Sequence, residues 1–262
     1  MSLKFCTLTG ADDNTDSEAL IELSKKYPFV EWGILYHANY AALPRYPSSH
    51  WIVEFLKNVE HADFHINTSI HLCGERTIAA FFKGEKEMVD LVRKFDRVQI
   101  NQTRMLDLFT ADEIRTSANL MKPVEITFQY RDHSRGLEEV LASLSNVSFL
   151  FDDSRGAGIL PQEWKTPLYG FYCGYAGGLG PGNIEVQLPM IAKAAMSNDY
   201  WIDMETKLRW LTDKNLDKFG LDRSEFVLEK VQEYIDKTEI GLLPQSYPEG
   251  DMSNLFTELP VG

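Results

Sequence analysis

Eight short apolar runs, each separated from the next by a stretch of helical character, constrain this chain more than any other feature. They span residues 3–8, 30–37, 63–72, 97–102, 124–130, 147–151, 168–175 and 200–204. Strand-like segments alternating with helical ones predict parallel βα units, because a parallel connection needs a crossover long enough to hold a helix. Two helix starts are readable. Thr110-Ala-Asp-Glu113 has the spacing of a capping box ahead of Ile114, Ala118 and Met121. Asp222-Arg-Ser-Glu225 precedes Leu228, Val231 and Ile235, spaced as one helix face. Eight such units in 262 residues predict an α/β protein, a single (β/α)8 TIM barrel over residues 1–237, each strand followed by a helix. A doubly wound open sheet is the alternative, but no dinucleotide fingerprint follows the first run. Residues 238–262 hold three of the eleven prolines and little periodicity. That predicts a C-terminal extension packed on the barrel or partly disordered. Pro189 falls inside the helix expected after Asn183, and predicts that this helix is kinked or short.

Composition narrows the function. With 44% hydrophobic residues the chain can bury a sizeable core. A formal net charge of −13 argues against a nucleic-acid groove, since phosphate backbones need a basic surface. No apolar run reaches eighteen residues, so no membrane partner is expected. Met1-Ser-Leu-Lys4 lacks the apolar core of a secretory signal. The three cysteines, Cys6, Cys73 and Cys173, lie in apolar contexts without CxxC spacing. They fit reduced thiols better than a disulfide framework or zinc site, and the expected location is cytoplasmic. His37, His65 and His71 lie on different runs with no ligand spacing, so neither a metal nor another cofactor is expected. The sequence leaves room for a homo-oligomer.

In a barrel of this kind the chemistry sits at the C-terminal strand ends. Cys6, His37, His71, Asn101, Tyr130, Asp152 and Asp203 close their runs, and Glu205 follows. A cysteine thiolate can serve as a base and a carboxylic acid as a proton donor where the environment moves their pKa values toward neutrality. Tyr175-Ala-Gly-Gly-Leu-Gly-Pro-Gly-Asn-Ile184 reads as strand, paired glycines and helix start. In that pattern Gly177 and Gly178 would let the backbone cradle an anion. Each site has a plainer alternative: Cys6 as a small core hydrophobe, Asp152 as a loop cap, Arg45 as a surface turn, the glycines as a tight βα turn. Glu125, His71 and Glu205 as a metal-assisted lyase is a minor alternative.

Several segments, in order, resemble phosphoribosylanthranilate isomerase. Lys4-Phe-Cys-Thr-Leu-Thr9 is similar to that family's first-strand motif, which implies Cys6 as general base. Phe149-Leu-Phe-Asp152, followed by Gly156-Ala-Gly158 and Trp164, is similar to the sixth-strand motif and implies Asp152 as general acid. Ala176-Gly-Gly-Leu-Gly-Pro-Gly-Asn183 is similar to the seventh-strand phosphate loop, so Gly156, Gly177 and Gly178 are implied at the substrate. Gly33-Ile-Leu-Tyr36 with Pro44-Arg-Tyr46 is similar to the segment whose arginine holds a substrate carboxylate, here Arg45. Val98-Gln-Ile-Asn101 resembles the fourth strand, with Asn101 where the family has histidine. Asp203-Met-Glu-Thr-Lys-Leu-Arg209 stands where the family has a Ser-Ser-Gly phosphate loop, putting Asp203, Glu205 and Thr206 at the substrate. The implied reaction is an aldose-to-ketose (Amadori) rearrangement of a phosphorylated amino-sugar. Asp152 would protonate the ring oxygen and Cys6 remove the C2 proton, the two facing each other across the barrel mouth. The departures at Asn101 and Glu205 point the other way, toward a divergent barrel that has lost this activity and handles a different small ligand.

Overall fold

In the computed structural model, which describes residues 2–131, 134–154, 157–211 and 217–239, eight parallel strands close into one barrel in sequence order. They are β1 (Leu3–Thr9), β2 (Val30–Tyr36), β3 (Asn67–Leu72), β4 (Arg97–Ile100), β5 (Glu125–Tyr130), β6 (Val147–Asp152), β7 (Tyr172–Ala176) and β8 (Tyr200–Met204). The chain is thus an α/β protein with the (β/α)8 barrel fold that the eight runs predict. Helix α1 (Ser17–Lys26) follows β1 and α2 (Ser49–His61) follows β2. Two short helices follow each of the next strands: α3 (Glu75–Phe82) and α4 (Lys86–Val92), then α5 (Met105–Leu108) and α6 (Ala111–Leu120). Helix α7 (Leu137–Leu141) follows β5 and α8 (Ile184–Ala195) follows β7. Beyond β8 come a 3-10 turn (Thr206–Leu208), an antiparallel ribbon of β9 (Arg209–Leu211) and β10 (Asp217–Phe219), and α9 (Leu221–Glu239).

The local signals act as chemistry dictates. Thr110 and Glu113 form the reciprocal capping box of α6, while Asp16 and Ser48 cap α1 and α2 through their side chains. Three expectations need correction. Strands β3 and β7 start at Asn67 and Tyr172, later than the apolar runs, because residues such as Phe171, whose N–H donates to Leu168 at 3.1 Å, are spent on turns. Helix α8 is not cut short: it runs 12 residues through Pro189, at an exposed position, to Ala195. Finally, no helix links β6 to β7 among the described residues. Pro161 and Pro167 lack the donor a helix needs, and Gly158 and Gly170 sit at φ of 66° and 81°. Trp164 anchors this loop: it is buried, donates to Gln187 of α8 at 2.9 Å and packs edge-on against Tyr175. Helix α9 carries the described chain past the expected limit at residue 237 to Glu239; the remainder of the expected extension lies outside the described residues.

The pleat sends alternate residues to opposite faces of the barrel wall. Trp32 marks the helix side, since its Nε1 donates to Ser24 Oγ of α1 at 2.8 Å. Leu8, Val30, Ile34, Ile70, Val98 and Phe149 share one core cluster with it. The inner face carries a small second cluster of Leu150, Ala176 and Trp201, flanked by Phe5 and Tyr172. Leu35 adds an apolar side chain near the mouth, and most of the other interior side chains are polar. Arg97 is buried there and donates to Glu31 through Nη2 at 2.5 Å and Nε at 3.1 Å. It also reaches Thr7 at 3.3 Å and Glu125 at 3.4 Å, with its guanidinium 4.4 Å from the Trp201 ring.

Removing one partner of a buried ion pair leaves an uncompensated charge. Arg97→Met should therefore lower stability by about 3–5 kcal/mol, read as a lower urea midpoint at unchanged slope. Adding Glu31→Leu should recover much of that loss. An unchanged midpoint in the single variant would mean that Glu31 is solvated inside the barrel.

Candidate active site

The C-terminal strand ends open onto a cavity of about 440 Å³. Pleat parity decides which side chains reach it. Thr9 of β1, His71 of β3, Gln99 of β4, Gln129 of β5, Asp152 of β6 and Asp203 of β8 all line it, as do Cys73, Asn101, Arg131 and Glu205 just past their strands.

Cys6 does not. It pairs in register with Val30, on the same face as Trp32, and lies fully buried in the helix-side core. Thr7 and Thr9 are the inward residues of that part of β1. Burial first, then the charges of Asp203 and Glu31, hold the Cys6 thiol far above its ordinary pKa. The expected pairing of Cys6 with Asp152 across the mouth is thus not formed, because a one-residue offset along a strand puts a side chain on the opposite face. Tyr130 is turned outward for the same reason, donating to Glu138 of α7 at 2.9 Å. His37 lies past the end of β2, stacked on Tyr40 with ring centroids 4.0 Å apart. Glu125 sits at the start of β5 and bonds Ser148 at 2.6 Å, so it does not join Glu205. Among the described residues no group of three or more His, Cys, Asp or Glu is placed to hold a metal ion. Gly156 lies outside the described residues.

The remaining expected residues do gather at the mouth. Asp152 Oδ1 accepts from the backbone N–H and hydroxyl of Ser154 at 3.0 and 2.7 Å, and Arg131 approaches Oδ2 at 3.5 Å. Asp203 is buried and accepts one side-chain hydrogen bond among the described residues, from Thr9 Oγ1 at 2.9 Å. Burial raises its pKa to about 7 against that hydrogen bond, helped by the negative charges of Glu205, Asp152 and Glu31. Burial also pushes Glu205 up, opposed by Arg45. Arg45 donates to Glu205 at 2.8 Å and to Asp217 at 2.9 Å, while its backbone N–H donates to Asp12. Its backbone is held at φ 76°, a region few non-glycine residues adopt. Fully buried Arg209 bonds Gly10, Asp12 and Asp217 beneath it. A ligand carboxylate at Arg45 would therefore compete with Glu205, which already fills that role.

The glycine turn is tighter than a vacant cradle. Gly177 and Gly178 have φ of 115° and 66°. A Cβ on Gly178 would lie 2.5 Å from Leu160 N and 2.6 Å from the Ile159 carbonyl carbon, so the glycine admits the protein's own β6–β7 loop. Asn183 closes the turn, accepting from Gly180 N–H at 3.0 Å and donating to the Gly178 carbonyl at 2.8 Å. The amides of Asn183 and Ile184 both donate to the Gly180 carbonyl. Thr206 and Lys207 line the mouth beside Gly158.

Residues missed at the sequence level follow from parity. Asn101 is inward, so Gln99 and Arg97 two and four residues before it are inward too. Asp203 pairs in register with Thr7, which places Thr9 at the mouth. Cys73, rather than Cys6, is the thiol at the cavity; its Sγ accepts from Asn101 Nδ2 at 3.1 Å, and burial pushes its pKa up to about 12. His71 is buried, and burial followed by the charge of Arg97 lowers its pKa to about 3.

No protein-family model and no curated protein matches this chain. Among solved structures it is similar to the spore coat polysaccharide biosynthesis protein SpsE of Bacillus subtilis. The identity is 10% and the TM-score 0.55, over 95% of this chain and 72% of that one. A GH113 β-1,4-mannanase matches at 12% identity and TM-score 0.45 (89% and 98% of the two chains). A DUF72 family protein of Enterococcus faecalis matches at 13% and 0.47 (90% and 98%). At such identities the first of these shows a shared barrel fold, and the chemistry has to be read from this chain's own mouth.

Two outcomes follow from the geometry. Gly178→Ala should lower the melting temperature, by an amount equivalent to about 1–3 kcal/mol, because it adds a backbone clash to an unfavourable φ. An unchanged melting temperature would reopen the turn as a vacant cradle. Asp203 has its folded pKa raised above its unfolded value, so its charge is a destabilising feature that develops as pH rises from about 4 through about 7. Asp203→Asn keeps an acceptor for Thr9 and should gain stability at pH 8, up to roughly 4 kcal/mol. That gain should vanish near pH 4; a gain independent of pH would contradict the buried-carboxylate account.

Proposed function

We propose that this protein is an isomerase that moves a proton between adjacent carbons of a small hydroxylated carbonyl compound, with Asp203 as the acid/base group. One observation carries the reading: a buried carboxylate in the cavity wall, hydrogen-bonded by Thr9 and with its pKa raised to about 7. A group of that pKa takes and returns protons with nearly equal ease at neutral pH. Asp152, oriented by Arg131 and Ser154, and the amides of Gln99, Asn101 and Gln129 supply hydrogen-bond partners suited to a polyhydroxylated ligand. The reaction type stays that of phosphoribosylanthranilate isomerase, an aldose–ketose interconversion, but the base is not Cys6.

A second reading keeps the phosphorylated substrate. It is favoured by Lys207 and Thr206, which line the mouth next to the glycine turn; Lys207 has no carboxylate partner among the described residues. Against it stands Glu205, whose charge repels a phosphate unless Arg45 neutralises it.

Both readings are tested by incubating the protein in D2O with aldoses and ketoses of three to six carbons, each with and without a terminal phosphate, and following loss of C–H signal by NMR. At least one compound should exchange. Asp203→Asn should slow that exchange by about 10²–10⁴, the scale for removing a positioned acid or base, while Cys6→Ala leaves it within a few-fold. Exchange confined to the phosphorylated members selects the second reading. Exchange of none of them would reject both, leaving the fold as the property shared with such isomerases.

A further inference from the structure

We propose that His71 acts directly on the substrate as a neutral electrophile, its Nε2–H donating to the carbonyl oxygen of an α-hydroxycarbonyl compound. This rests on the isomerase reading and adds to it a second catalytic group and the side from which the oxygen is held. The starting observation is an unsatisfied atom. His71 is 1% exposed and lines the cavity, yet its Nε2 has no hydrogen-bond partner among the described residues. Buried polar atoms are almost always paired, so an orphan in a cavity wall points to a ligand or water.

The tautomer is set by a chain of side chains behind the ring. Gln99 Nε2 donates to Asn101 Oδ1 at 2.8 Å, and the same NH2 group lies 3.3 Å from His71 Nδ1. Asn101 in turn directs its own amide N–H to Cys73 Sγ at 3.1 Å. With the Gln99 amide group facing it, Nδ1 has to be the acceptor, and the ring proton therefore sits on Nε2. The strongly lowered pKa keeps that ring neutral at any pH near 7, so it donates a hydrogen bond without becoming a competing proton source. Position agrees with this role. The point where a Cβ on Gly33 would lie is 3.0 Å from His71 Nε2 and 2.2 Å from Thr9 Oγ1, and Thr9 is the residue bonded to Asp203. The Gly33 position thus has no room for a side chain, and His71 Nε2 lies on the side of the cavity where Thr9 holds Asp203.

The step balances without a cofactor. Ionised Asp203 removes the proton from the carbon next to the carbonyl, the C–H electron pair forms the C=C bond, and the carbonyl π pair moves to the oxygen held by His71. Asp203 then returns its proton to the former carbonyl carbon, while the hydroxyl proton passes between the two oxygens.

Nitrogen-15 NMR of the histidine-labelled protein reads the tautomer directly. We expect His71 to be Nε2–H between pH 5.5 and 8, and the compound that exchanges in D2O to shift that Nε2 signal. His71→Gln and His71→Phe should each reduce the exchange rate at least tenfold, mainly through kcat, and Gln99→Leu should give a smaller loss together with a mixture of tautomers. An Nδ1–H or charged ring overturns the inference. So does full exchange in both folded variants when Asp203→Asn abolishes it; in that case the isomerase reading survives alone. Should neither variant fold, the tautomer and the ligand-induced shift in the native protein decide. Absence of exchange in the native protein removes both readings.

Discussion

A guanidinium locked inside the barrel is the interaction on which the rest depends. Arg97 reaches from β4 to Glu31 on β2, Thr7 on β1 and Glu125 on β5, and lies over Trp201 of β8. One side chain therefore ties five strands through the barrel axis. Closed barrels fill that axis with side chains, usually apolar. Here a charged layer occupies it, and such a layer tolerates no missing partner. The strands are held at the register that this layer needs, and that register places every inward residue above it.

The mouth inherits the problem of buried charge and solves it by internal pairing. Arg131 faces Asp152, and Arg45 faces Glu205 and Asp217, with Arg209 holding Asp12 and Asp217 below. The loops after β1, β2 and β8 are joined by this second network. Arg45 adopts a left-handed backbone to reach its place in it, strain that the surrounding ion pairs sustain. Asp203 is the exception. Among the described residues it has a hydroxyl donor but no cation in salt-bridge contact, and three carboxylates add to its burial penalty. A carboxylate left in that state works against stability and in favour of proton transfer, the trade that active sites commonly show.

The likeness of β1 to the isomerase motif illustrates how local similarity can mislead. Lys4-Phe-Cys-Thr-Leu-Thr9 has the right residue types for a strand with a thiol near its end. Its pleat sends Thr7 and Thr9 inward, and Cys6 joins Val30 and Trp32 against the helices. Cys73 is the thiol that reaches the cavity, although nothing in the spacing around it distinguishes it from Cys6 or Cys173. Glycine pairs are similarly ambiguous: the turn at Gly177 and Gly178 is occupied by the β6–β7 loop, a neighbour distant enough in detail that composition does not reveal it.

What the sequence by itself determined is the architecture. Eight apolar runs, the Thr110 capping box and the face of Leu228, Val231 and Ile235 encode βα units through periodicity and caps, which are properties of neighbouring residues. It also located Asp152, Asn101, Asp203 and Glu205 at strand ends, since distance along a strand is read by counting. Only the tertiary structure decided which face each residue serves and which charge meets which. Facing depends on a register of one residue, set by partners on other strands; the Arg45–Glu205 pair spans 160 positions and Thr9–Asp203 spans 194. The neutral His71, the protonatable Asp203 and the outward Cys6 all follow from such pairings, because burial and field are sums over groups that the chain brings together only on folding.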